Sequence, residues 1–263
     1  MFDRKEVMSS NVELSALLAE SYNKIEPHYR TENVILMSDK LKELKTRTKG
    51  SSLLDMGCGT GFVIDIAKHY FENVYGIDIS WEMLEKVNKN SELGFVKLVN
   101  CSIDDTSFHD DSIDVCIAYS VLHHLYDITS TVREAYRVLR RGGIFYSALD
   151  PNFYFYSVVK QFNSMNVKYA LRREIDKLNG ETDDVLYQMA EPIKHIYGGF
   201  KEENLIGIFS DVGFSNIKIN YYWFLGEGSL MYSKMKDDIR MYLKESLPLS
   251  RSMFKYLEIE ATK

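Results

Sequence analysis

Short apolar runs alternate with amphipathic stretches through the middle of the chain. Residues 53–55, 74–78, 95–99, 113–119 and 143–149 are runs of strand length. Between them Val63, Ile66, Ala67 and Tyr70, then Trp81, Leu84 and Val87, then Val132, Ala135, Tyr136 and Leu139 recur at helical spacing. Near-continuous apolar strands separated by amphipathic helices predict a parallel sheet covered on both faces, joined by right-handed crossovers. Upstream, residues 11–49 read as helical. Leu14, Leu17, Leu18, Tyr22 and Ile25 share one face, Pro27 interrupts it, and Val34, Met37, Leu41 and Leu44 form a second stripe. Downstream, residues 201–212 read as a helix and 213–224 as a strand. Residues 256–262 alternate and predict a last strand antiparallel to its neighbours.

Two stretches interrupt this rhythm. Residues 151–199 exceed an ordinary connection and are rich in rings, among them Phe153, Tyr154, Phe155, Tyr156, Phe162, Tyr169, Tyr187 and Tyr197. They read as a cap with an apolar or aromatic-lined pocket. Residues 225–252 read as a second, helical insertion carrying Leu230, Met231, Met235, Ile239 and Tyr242, placed to cover the cap or meet a second copy of the chain. The predicted organisation is a helical lid (1–49), an α/β core (50–150), the cap (151–199), and the end of the sheet with its insertion (200–263).

Composition narrows the partners. The 263 residues are 45% hydrophobic and 27% charged, as in an ordinary globular protein. A net charge of -6 argues against a nucleic-acid footprint, and the basic stretch at 40–49 reads as a solvated helix face. No run is long enough to span a bilayer, and residues 1–6 lack an apolar signal core. Cys58, Cys101 and Cys116 are scattered, with no C-x-x-C pair. They suggest buried thiols in a reducing cytoplasm, and no metal site is predicted.

The chemistry concentrates at residues 53–61, Leu-Leu-Asp-Met-Gly-Cys-Gly-Thr-Gly, where a strand turns through three alternate glycines into a helix starting near Phe62. Glycine permits positive φ and leaves space beside the backbone. The next strand ends in Asp78, and a strand-end carboxylate beside a glycine turn suits the two hydroxyls of a ribose. A dinucleotide fingerprint needs a third glycine at Phe62 or Ile64, which is absent, so a nicotinamide dehydrogenase is disfavoured.

The G-x-G-x-G turn preceded by Asp55 resembles motif I of the class I S-adenosylmethionine-dependent methyltransferases, of the type acting on small molecules. Further landmarks agree: Asp110 to Val115 ahead of strand four, the Leu122-His123-His124 sequence after it, and Leu139 to Gly143 leading into strand five. The likeness covers residues 50–150 well and the remainder loosely. It implies a Rossmann-like sheet of seven mostly parallel strands with helices on both faces, and S-adenosylmethionine as cofactor. It implies cofactor contacts from Asp55, Gly57, Cys58, Gly59, Gly61, Asp78, Ile79, Met83 and Tyr119. Many members carry an aspartate for the adenine amino group where this chain has Ser102, so Ser102, the Ile103 amide and Asp104 share that assignment. Helices ahead of the first strand often close over the cleft in this family, which would bring Tyr22, His28 and Tyr29 towards the ligands.

The implied reaction is an in-line displacement on an oxygen or nitrogen of a small-molecule acceptor, helped chiefly by alignment. A hydroxyl acceptor calls for a base, for which His124 and then His195 are the candidates, with His123 beside them. Asp150-Pro151-Asn152-Phe153 is superficially like the signature of amino-methylating nucleic-acid enzymes. It follows strand five rather than strand four, and reads as the hinge into the cap. A non-catalytic cofactor-binding or interaction protein is the alternative. The helical insertion at 225–252 is where a homodimer would form.

Overall fold

The alternating runs assemble one seven-stranded sheet in the order β3-β2-β1-β4-β5-β7-β6. Its strands are β1 (Ser52–Met56), β2 (Asn73–Asp78), β3 (Phe95–Asn100), β4 (Ile113–Tyr119), β5 (Leu139–Pro151), β6 (Ser215–Tyr222) and β7 (Tyr256–Thr262). The computed structural model describes residues 2–87, 95–161, 184–222, 251–252 and 254–263. Strands β1 to β5 pair in parallel, and β7 lies antiparallel between β5 and β6, as the sequence predicts. The pattern accounts for the core on both faces. On β1, Leu53 packs with Val74, Val115 and Ile144 on one face, while Leu54 packs with Cys116 and Phe145 on the other.

Three helices and a 3-10 turn precede the sheet: α1 (Arg4–Leu18), α2 (Tyr22–Ile25), the turn Pro27–Tyr29, and α3 (Thr31–Arg47). The first helix starts seven residues earlier than the apolar stripe suggests, at Arg4 rather than residue 11. A capping box explains this: the Asp3 carboxylate accepts the Glu6 amide and the Glu6 carboxylate accepts the Asp3 amide. Met37, Leu41 and Leu44 of α3 pack on one sheet face with α4 (Phe62–Ala67) and Leu84 of α5 (Trp81–Lys86). The opposite face takes α6 (Thr129–Val138). Beyond β5 follow α7 (Phe153–Gln161), α8 (Asp184–Ala190), α9 (Pro192–His195) and α10 (Glu202–Val212). Leu205 and Phe209 of α10 join the α6 side of the core.

Some expectations need correcting. Trp81, predicted to face the core, is exposed and its indole N–H donates to Glu85 one turn on, while Met83 is buried in its place. Leu17 is likewise exposed. Strand β5 runs past both predicted ends: at its start Leu139 pairs with Ile113 of β4, Gly142 donates to the Lys263 carbonyl and Lys263 donates to the Gly143 carbonyl. At its far end Asp150 and Pro151 still pair with Leu257 and Tyr256, and Asp150 is fully buried. Asp150 is therefore anchored in the sheet, and the chain departs only at Asn152, whose amide group donates to the carbonyls of Arg251 and Phe254. The predicted insertion helix at 225–252 falls almost wholly outside the described residues, as do Phe162 and Tyr169 of the cap. No helix among the described residues is long and apolar enough to cross a membrane.

Candidate active site

The glycine turn lies where β1 and β2 end side by side, Asp55 opposite Gly76 and Met56 opposite Ile77. Gly57 and Cys58 both donate their amides to the Ile77 carbonyl, at 2.7 and 2.9 Å, and Gly61 donates to Cys58. Gly57, Gly59 and Gly61 all have positive φ. A Cβ on Gly57 would stand 2.7 Å from Val121 Cγ2, whereas one on Gly59 would meet nothing within 4 Å. Gly57 thus permits close packing inside the protein, and Gly59 borders open space. Cys58 is buried beneath the turn.

Two acidic side chains, Asp55 and Asp78, flank the turn, and burial raises the pKa of both. Asp78 Oδ2 accepts the Gly59 amide and Oδ1 the Ser80 amide, each at 2.8 Å. Asn100 holds the strand end by donating to the carbonyls of Asp78 and Ile79. Asp55 is 1% exposed, and its Oδ2 has no hydrogen-bond partner. Burial, and then the Asp78 charge, push the Asp55 carboxyl well above the usual carboxylate range. A buried unpaired carboxylate oxygen costs folding free energy unless something offsets it. The amides of Gly57, Cys58, Gly59 and Gly61 are already used within the protein, so they are not collected around a phosphate. A cation placed beside Asp55 would supply that offset.

Aromatic side chains roof the turn. His28 packs on Phe62 and Tyr29 with ring centroids 4.8 Å apart in each pair, and more loosely on Tyr22 and Tyr119. Phe62 stacks on Tyr119. Tyr29 hydroxyl lies 2.6 Å from Thr60 Oγ1, which donates to Asn23 Oδ1. The N-terminal helices are therefore latched to the glycine turn itself, through Thr60 and Asn23, neither of which the sequence singled out. Burial lowers the His28 pKa to about 3, so the roof carries no charge at neutral pH.

The corner assigned to adenine lies between α1 and the loops after β2 and β3. Ile79 shares a surface hollow with Arg4, Lys5, Met8, Ser9 and Val12 of α1. Met83 and Ile103 are buried close by in sequence to those loops. Ser102 donates to Asp104 Oδ1 at 2.6 Å, and Asp104 also pairs with Arg4. Ser102 and Asp104 thus act as one polar unit.

The histidines occupy a separate polar cluster after β4, in the turn Leu122–His124. His123 Nδ1 lies 3.0 Å from Asp150 Oδ1, and Asp150 Oδ2 accepts from Ser147. His124 Nδ1 faces two acceptors at 3.0 Å, Asn11 Oδ1 and the Ala190 carbonyl. His195 Nε2 lies 3.1 Å from Glu191 Oε2, which Lys194 also approaches. The structure thus gathers the two predicted bases, His124 and His195, around Glu191. Burial, then His123, lower the His124 pKa to about 3. A base working near neutrality needs a pKa close to the operating pH, and His124 falls well below it. Asn11 and Glu191 were not legible as partners because 113 residues separate Asn11 from His124.

Residues 54–147 match the family model described as a methyltransferase domain. Together with the sheet order and the glycine turn, this makes the core a class I S-adenosylmethionine-dependent methyltransferase domain. The chain is 32% identical over 122 residues to 2-methyl-6-phytyl-1,4-hydroquinone methyltransferase 1 of Oryza sativa, covering 46% of this chain and 36% of the relative. It is 30% identical over 105 residues to the malonyl-[acyl-carrier protein] O-methyltransferase of Hamiltonella defensa, covering 40% of each. The chain therefore spans well under half of these curated relatives. Among solved structures, a methyltransferase from Archaeoglobus fulgidus superposes with a TM-score of 0.54 at 14% identity, over 88% of this chain and 94% of that one. That likeness concerns the fold.

Proposed function

We propose that the protein transfers the methyl group of S-adenosylmethionine to an oxygen or nitrogen of a small-molecule acceptor. The observation that carries this reading is the buried, unpartnered Asp55 Oδ2 beside Asp78, at a turn whose amides serve its own structure. Two carboxylates in low dielectric favour a cationic ligand over a pyrophosphate. Asp78 would hold the ribose hydroxyls and Asp55 would face the positive end of the cofactor. Gly59 would let the backbone approach it. Ile79, Met83 and Ile103 would flank the adenine, with Ser102 and Asp104 at its polar edge. Tyr119 and the rings packed on it would shield the reacting centre from water and favour a sulfonium.

S-adenosylmethionine supplies an activated methyl group, so the chain's task is to align the acceptor and exclude water. Two features support a small acceptor: the net charge of -6 and the roof of helices over the turn. The Hamiltonella relative, named for O-methylation, favours an oxygen acceptor, and the rice relative, named for a hydroquinone, favours a small apolar one. Residues 151–199 are the proposed cover on the acceptor side. Three free cysteines fit work in a reducing cytoplasm.

Calorimetry with S-adenosylmethionine, followed by transfer of radiolabelled methyl to fractionated metabolite pools, tests the reading. Saturable binding and a labelled small product are expected. No binding of the cofactor by the folded protein would overturn it. Binding without turnover of any pool would identify a cofactor-binding module instead.

A further inference from the structure

We propose that His123, His124 and Glu191 form a binding site for a divalent transition-metal ion of the zinc class. One ring nitrogen from each histidine and a carboxylate oxygen of Glu191 lie within 4.8 Å of one another, with His123 buried and the other two half-buried. Among the described residues none of these three side chains hydrogen-bonds another. Four-coordinate zinc, with bonds of roughly 2.0–2.1 Å, gathers donors at separations of roughly 3–4 Å, which small side-chain adjustments here would reach.

The tautomers follow from the partners. His123 Nδ1 faces the Asp150 carboxylate, which can only accept. His124 Nδ1 faces Asn11 Oδ1 and the Ala190 carbonyl, both acceptors. The Asn11 orientation is set independently, since its Nδ2 donates to the carbonyls of Val7 and His124. Both imidazoles therefore carry their proton on Nδ1 and leave a lone pair on Nε2, for which the described residues provide no partner. A ring N–H held by a carboxylate or a carbonyl is the usual support for a metal-bound histidine. Asp150 is itself fixed by Ser147 and by the His123 amide, and is fully buried. On Glu191, Lys194 and His195 engage Oε2, leaving Oε1 for an ion.

Two imidazoles and one carboxylate leave coordination positions open, the pattern of catalytic rather than structural sites. The cluster sits at the carboxyl ends of β4 and β5, the edge where such sheets bind ligands. The use that follows rests on the methyltransferase reading. An acceptor hydroxyl at the open position would lose its proton to solvent more readily. Its oxygen would then take the methyl group while the sulfur keeps the bonding pair. That chemistry suits an oxygen acceptor and needs no histidine base.

The test uses the full chain, stripped with a chelator and titrated with cobalt(II) followed by visible absorption, and with zinc(II) by calorimetry. One equivalent of metal and the ligand-field bands of four- or five-coordinate cobalt are expected. Glu191→Gln and His124→Ala should each weaken binding by about 100-fold or more, and Asp150→Asn by about 10–100-fold, as outer partners of metal-bound histidines do. His69→Ala, remote from the cluster in sequence, should bind as the parent does. Circular dichroism and melting curves confirm folding, and Glu191→Gln, nearly isosteric, decides if His124→Ala fails to fold. No stoichiometric binding by the parent, or binding unchanged in folded Glu191→Gln, overturns the site. In that event cofactor binding and methyl transfer by the stripped protein would leave the methyltransferase reading standing. Metal binding without any methyl transfer would overturn that reading and leave the site.

Discussion

Asp78 Oδ2 accepts the Gly59 amide at 2.8 Å, tying the end of β2 to the middle of the glycine turn. One carboxylate thereby fixes the turn and borders the cleft. Asp78→Ala should lower S-adenosylmethionine affinity by more than about 1 kcal/mol, the scale of a charge-assisted hydrogen bond. It should also cost stability of about 1–3 kcal/mol by leaving the Gly59 and Ser80 amides without their acceptor. Calorimetry and urea unfolding separate the two losses. Unchanged affinity in the folded variant would remove Asp78 from the ribose site.

Gly57 and Gly59 share the sign of φ but differ in surroundings, so alanine should act differently at each. At Gly57 the new Cβ collides with Val121, and unfolding should be easier with or without cofactor. At Gly59 nothing within 4 Å opposes it, leaving only the left-handed backbone strain of about 1–2 kcal/mol. Gly59→Ala and the bulkier Gly59→Val should keep the fold and lose cofactor affinity. Normal affinity in Gly59→Val would show that the ligand does not approach there.

The sheet was legible because its strands are continuous apolar runs between helices, a pattern set locally and repeated five times before Leu149. The glycine turn and Asp78 were legible for the same reason: both lie at strand ends within a short span. Helix starts were less so, since the α1 terminus depends on Asp3 and Glu6 rather than on apolar spacing. Trp81 misled because a large ring at the first turn of a helix can lie outside, held by Glu85. The histidine cluster was legible only in part. His123 and His124 stand out in sequence, but Asn11, Asp150 and Glu191 come from α1, β5 and the α8–α9 junction, and only the fold brings them together.

Asp114 links the acid limb of stability to the base of the sheet. Burial raises its pKa, but the Ser52 hydroxyl and amide, and then Arg140, more than offset this and hold it below the ordinary aspartate value. A carboxyl depressed in the folded state contributes stability that is complete above its unfolded pKa. That contribution is lost as pH falls through the folded value. Asp114→Asn should therefore lower the melting temperature at neutral pH and flatten the fall in stability below about pH 4, near the ordinary aspartate range. Parallel melting curves of the parent and variant over the whole acid range would show that Asp114 carries no such linkage.

Asp55 should behave in the opposite sense. Its carboxyl is raised by burial and by Asp78, so the folded protein holds its proton more tightly than the unfolded chain does. Above the unfolded aspartate pKa it opposes folding, and stability recovers as pH falls through the raised folded value. Asp55→Asn removes this penalty. The variant should melt higher than the parent at neutral pH in the absence of cofactor. It should bind S-adenosylmethionine more weakly, because the partner for the positive end of the cofactor has gone. In the parent, the cofactor's own stabilising effect should grow with pH as the ionised carboxylate gains its counter-charge. Differential scanning calorimetry with and without S-adenosylmethionine across pH checks all three statements. A variant that melts lower than the parent without cofactor, yet binds it equally well, would show Asp55 to be a structural residue, and the cation-binding role would pass to Asp78 alone.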